Sequence, residues 1–121
     1  MKYITIAFQI IVGLSILNVW LVQLNKPTQW RGGNATSIRE EFRVYGLPEW
    51  SFYLIGFLKV VLALALIAAL WFPSFLKPAA LGLAALLTGS VLMHVKIKDP
   101  IKKSMPAFIF LSMCLCIVFA F

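Results

Sequence analysis

The chain has 121 residues, of which 62% are hydrophobic and only 12% charged, about half the charged share of a soluble domain. Its net charge is +7. The basic residues gather in two segments between apolar runs of membrane length, which is how membrane topology is written and which argues against a nucleic-acid-binding face. One transmembrane domain over residues 1–121 is expected, with the lipid bilayer as its solvent.

The first apolar run, residues 3–24, is too long for a signal-peptide core and lacks a small-residue cleavage site, so it reads as a retained span. It carries Gln9, Ser15, Asn18 and Gln23. Ser15, Asn18 and Asn25 fall on one helical face, and Asn18 is placed either in an interhelical hydrogen bond or on a pocket floor. Trp20 sits near the interface. The polar segment 25–50 follows. Lys26-Pro27 ends the first helix, and Gly32-Gly33-Asn34 is a turn. Ser37-Ile38-Arg39-Glu40 has capping-box spacing, so a short helix is predicted over 38–45, closed by Gly46 and Pro48. Ile38, Phe42 and Tyr45 share its apolar side, while Arg39 and Arg43 are four apart. That pattern suits a helix lying on or dipping into the membrane surface, with a solvated connector as the alternative.

Span two covers 51–72, entered past the interfacial Trp50. A rise of 1.5 Å per residue puts Lys59 about 13 Å below Trp50, near the midplane. A lysine there either snorkels or sits in a polar pocket, and the pocket is the default reading of an intramembrane ionisable group. Gly56 and Ala63 share its face, which therefore meets another helix. Span three, 79–95, places Gly82, Ala85 and Gly89 on one face, a small-residue stripe that permits close helix approach and makes a homodimer an option. Ser90 and His94 lie on the neighbouring stripe. The basic loop 96–104 turns at Asp99-Pro100, and Asp99 is the acid nearest His94. Span four, 105–121, contains Cys114 and Cys116. These point in different directions on a helix and read as packing residues. No metal-ligand spacing is evident.

Four spans put both termini on one side. Lys26, Arg31, Arg39 and Arg43 occupy one loop, and Lys96, Lys98, Lys102 and Lys103 the other. The positive-inside rule then makes 25–50 and 96–104 cytoplasmic and leaves the termini outside. In that frame Asn18, Lys59 and Ser90 come to similar depths. The fold expected is an all-α antiparallel four-helix transmembrane bundle with a short amphipathic interfacial helix between spans one and two. A ligand pocket is expected in its cytoplasmic half, built from Lys59, Asn18, Ser90, His94, Trp20, Arg43, Tyr45, Trp50 and Asp99.

These features together resemble the DoxX-like family of small four-span membrane proteins. The residues that carry the resemblance are Arg43-x-Tyr45-Gly46-x-Pro48 and Ile55-Gly56-x-x-Lys59. Pro78-Ala79-Ala80-x-Gly82-Leu83, Thr88-Gly89-Ser90 with His94, and Asp99-Pro100 with Pro106 follow in order. The resemblance implies the four-helix bundle, links to quinone and thiosulfate oxidation or quinone and catechol stress, and partners among membrane redox proteins. The sequence itself holds no flavin or nucleotide fingerprint and no complete catalytic constellation, since no carboxylate is expected at the depth of Lys59. A small-molecule-binding or accessory subunit for a quinone- or phenol-type ligand is therefore favoured over an enzyme using Lys59 or His94 for proton transfer. A membrane chaperone or assembly factor and a small anion or amphiphile transporter are the other readings. A cation exporter is disfavoured because span one has no acid.

Overall fold

The computed structural model of the chain describes residues 2–22, 33 and 35–119. Asn25, Gln23, the Lys26-Pro27 break, Arg31 and most of the Gly32–Asn34 turn lie outside the described residues. The described elements are α1 (Lys2–Leu17, continued by a π-helical turn Asn18–Val22), α2 (Ile38–Val44), α3 (Glu49–Ala68), a 3-10 turn Pro73–Phe75, α4 (Leu76–Lys96) and α5 (Ile101–Phe119). Among these residues there is no strand.

Four helical segments, Tyr3–Val22, Glu49–Ala68, Pro73–Lys96 and Ile101–Phe119, are long and apolar enough to cross a membrane. They match the four expected spans in order, with shifted ends. Span three starts earlier because Pro78 falls in the first turn of α4, where its missing N–H would have no intrahelical partner anyway. Span four also starts earlier and carries Pro106 inside the helix.

The long helices form a ring in which α1 packs on α3, α3 on α4, α4 on α5 and α5 back on α1. Close contacts give their sense. Gly13 lies against Ile67 and Gly56 against Trp20, so α1 and α3 run antiparallel; Gly82 lies against Leu62 and Lys59 bonds Ser90, so α3 and α4 do too. The core lies in the half of the ring away from α2. Val12, Ala63, Leu66, Ala80, Leu83, Cys114 and Ile117 are fully buried there, and the Gln9 side-chain amide donates to the Leu66 carbonyl at 3.1 Å. A buried amide without that bond would be costly in an apolar interior.

α2 forms where the capping pattern placed it. The Ser37 hydroxyl accepts from Glu40 N–H at 3.2 Å. Glu40 reaches back one residue further than a simple capping box requires, accepting from the Thr36 N–H at 2.7 Å and from the Thr36 hydroxyl. These bonds, the hydroxyl first, hold the Glu40 carboxyl below its ordinary range, with Arg43 assisting. At the other end Gly46 takes φ +77°, and Leu47 N–H returns to Phe42 O while Gly46 N–H returns to Arg43 O, a Schellman closure. Ile38, Phe42 and Tyr45 are buried, so the apolar side of α2 is seated over one end of the ring.

Candidate functional site

Beneath α2 the ring is hollow. A cavity of about 360 Å³ is lined by all four long helices and by α2, near the lower end of the ~300–1,000 Å³ typical of small-molecule sites. Most of its wall is apolar, from residues such as Ile16, Trp20, Phe42, Leu87 and Phe110; its polar groups include Glu41, Tyr45, Lys59, Ser90 and His94. The small-residue stripe explains the hollow. Leu62 approaches Gly82 closely, but a Cβ at Gly89 would meet nothing within 4 Å, and Ala85 and Gly89 both line the cavity. The expected close approach therefore holds at Gly82 and fails at Gly89, where the missing side-chain volume is left as space.

Lys59 is held from two sides. Its ammonium donates to the Ser90 hydroxyl at 3.0 Å and lies 5.7 Å from the Trp20 ring centroid, within cation–π range. Trp20 is itself fixed. It packs against Gly56, and its centroid lies 6.1 Å from Phe42 and 5.7 Å from Phe52.

Across the cavity a chain of polar groups runs inward from the α4–α5 turn. The Asp99 carboxylate meets His94 Nδ1 at 2.8 Å and accepts from the Gly33 N–H at 3.1 and 3.3 Å. Lys103 Nζ is 3.9 Å from the same carboxylate and donates to the Gly33 carbonyl. His94 Nε2 lies 3.3 Å from the Tyr45 hydroxyl and 3.9 Å from the Glu41 carboxylate, and the Tyr45 hydroxyl donates to Glu41. His94, Asp99 and Glu41 side chains are only 6%, 7% and 14% exposed. An ionised carboxylate only accepts, so Asp99 makes Nδ1 a donor and turns Nε2 toward α2 and the cavity.

The backbone of the turn makes that geometry. Lys98 adopts φ +59°, a left-handed conformation costing a non-glycine residue roughly 1–2 kcal/mol. It lets Asp99 N–H return to His94 O and Lys98 N–H to Val95 O, which folds Asp99 back under His94. Lys98→Gly is expected to keep this turn and raise unfolding stability by about 1 kcal/mol, measurable as a higher midpoint in a denaturant titration in micelles.

Of the residues expected at the site, Lys59, Ser90, His94, Trp20 and Tyr45 line the cavity, and Asp99 stands one hydrogen bond behind His94. Three lie elsewhere. Asn18 is exposed: the inward face of α1 centres on Ile16, Val19 and Trp20, and at about 100° per residue Asn18 falls well outside that arc although Ser15 reaches its edge. Arg43 points off the exposed side of α2, and Trp50 is 66% exposed at the start of α3. Trp20, at the end of the first span, is buried beneath α2.

Glu41 was missed: besides Asp99 no carboxylate was expected at the pocket, and Glu41 lines the same cavity as Lys59. The signal was in the spacing. Glu41 is three residues after Ile38 and four before Tyr45, so it shares the buried face of α2. Arg39 ties that helix down from outside, pairing with Glu49 at 2.7 Å, donating to the Tyr53 hydroxyl at 2.8 Å and covering the Phe52 ring. Lys96 adds a bond to Tyr45 O at 2.8 Å. Cys114 and Cys116 are free thiols, and among the described residues no group of His, Cys, Asp and Glu is arranged to hold a metal ion.

The model of the DoxX-like family matches residues 30–118 of the chain. No curated protein and no solved structure matches the chain.

Proposed function

The chain belongs to the DoxX-like family of membrane proteins, and from the site it carries we propose that it binds a small amphipathic molecule of quinone or phenol type inside the bundle. The observation that carries this reading is the cavity itself, an apolar hollow with the Lys59 ammonium on one wall and His94, Tyr45 and Glu41 on another. Such a site suits an aromatic body that presents one or two oxygens to fixed donors. Lys59 offers a charge-assisted hydrogen bond to a carbonyl or phenolate oxygen, with Trp20 and Phe110 beside the ring. In this reading the protein is an accessory subunit that holds such a molecule for membrane redox or stress chemistry. The basic segments around α2 and the α4–α5 turn favour an orientation with the cavity toward the cytoplasmic side of the cell membrane and both termini outside.

The test is direct. The protein is extracted from its native membrane under mild conditions, and the molecules that stay bound are identified by mass spectrometry beside a Lys59→Met variant. An aromatic amphiphile enriched on the wild type and reduced about tenfold or more on the variant is expected, the scale of one charge-assisted bond. A wild type carrying only bulk lipid, in the same proportions as the variant, would overturn the reading.

A further inference from the structure

The polar chain beside the cavity has an unusual hydrogen count. It makes three contacts, Asp99 Oδ2 to His94 Nδ1, His94 Nε2 to Tyr45 Oη, and Tyr45 Oη to Glu41 Oε1. With both carboxylates ionised and the imidazole neutral, the chain owns two hydrogens for them, one on Nδ1 and one on the tyrosine. A third hydrogen completes the set. It sits on Nε2 with the tyrosine donating to Glu41, or on Glu41 with the tyrosine donating to Nε2. The end of this chain lies in the same cavity as Lys59.

We propose that the cavity selects weak oxygen acids, such as phenols, enols or hydroquinones, and holds them as conjugate bases while the Glu41–Tyr45–His94–Asp99 chain keeps the proton. The ligand O–H bond breaks, its electron pair stays on the oxygen facing the Lys59 ammonium, and the proton passes to Glu41 or His94 Nε2. No electron changes hands and no co-reactant is needed. The low-polarity wall makes the division of charge favourable only where both products have a partner. Lys59 is the partner of the oxyanion, and Asp99 that of the protonated imidazole. The other charges near His94 are Lys96, bound to Tyr45 O, and Lys103, beside Asp99; both hold backbone carbonyls at the rim. Asp99 acts as a positioning residue. This inference rests on the binding reading above and adds the chemical class of the ligand and the fate of its proton.

The experiment uses the purified full chain in lipid nanodiscs and two probes: 4-nitrophenol, whose anion has its own absorption band, and its methyl ether 4-nitroanisole, which has no proton to lose. The pH is held below the value at which free 4-nitrophenol ionises. Binding of the phenol with appearance of the phenolate band, and with no proton released to a weakly buffered indicator solution, is the expected result. Asp99→Asn is expected to cut the bound phenolate fraction severalfold, with folding followed by circular dichroism. A phenolate band accompanied by release of a full proton would show Lys59 acting without the chain and overturn the proposal. So would binding of both probes with the phenol still protonated. Failure of both probes to bind the wild type would instead remove the binding reading itself.

Discussion

Replacing Asp99 by alanine is expected to lower the unfolding free energy by about 3 kcal/mol or more, the scale of breaking one partner out of a buried charged network. The side chain is 7% exposed and satisfies His94 Nδ1 and the Gly33 N–H, with Lys103 nearby. Without it the imidazole loses its orientation, and the segment at Gly33 loses its anchor to the α4–α5 turn. Denaturant titration in micelles reads the first effect. Faster amide hydrogen exchange across α2 reads the second, because the cover over the cavity is fixed partly through this point. A loss below about 1 kcal/mol would mean that the carboxylate is solvated in the membrane-embedded protein and the chain behind His94 is not assembled.

Gly56→Val is expected to be nearly as damaging, by a different route. A Cβ at Gly56 would stand 2.6 Å from Trp20 Cζ3 and 2.9 Å from Cε3. The indole is rigid and packed against Phe42 and Phe52, and it lines both the cavity beside Lys59 and a second hollow shared with Gly56, Tyr53 and Phe57, so the ring must shift into one of them. Overpacking of this kind costs roughly 1–3 kcal/mol, and a ring displaced toward Lys59 also fills the space a ligand would take. A loss of about 2 kcal/mol is expected, together with loss of bound small molecule. Gly89→Ala supplies the contrast: its Cβ meets open space, and removing a mid-helix glycine is expected to stabilise by roughly 0.5–1 kcal/mol. Equal destabilisation of the two variants would show that the hollow beneath α2 is filled by other side chains.

Most of the fold was legible because each signal was local. Four apolar runs give four spans, Ser37 with Glu40 gives the start of α2, and Gly46 gives its end. Lys59 and Ser90 were brought together by comparing depths alone, which works because straight helices convert residue count into distance. Depth says nothing of azimuth, and that is where Asn18 was lost. It sits at a suitable level on a face that turns outward. Glu41 was lost for the opposite reason. Its face was readable from Ile38, Phe42 and Tyr45, but a carboxylate within an otherwise polar connection looks like solvent chemistry until the helix is seen seated on the bundle. The Ala85-x-x-x-Gly89 step shows a third limit. Small residues allow close approach wherever a neighbour comes near, and whether one does depends on side chains elsewhere in the ring.

The division of the ring into a packed half and a hollow half bears on which molecules the proposed site would sample. Val12, Leu66, Leu83, Cys114 and Ile117 are fully buried in the packed half, so the space open to a guest lies on the α2 side. Under the binding reading proposed above, a guest would enter from the leaflet on the side of α2, and occupancy would follow the composition of that leaflet and lag behind the other by the time the compound needs to flip across the bilayer. In that reading neutral aromatics, which cross quickly, would register from either face, whereas compounds with a fixed charge, which are costly to bring into the bilayer interior, would register only from the α2 side.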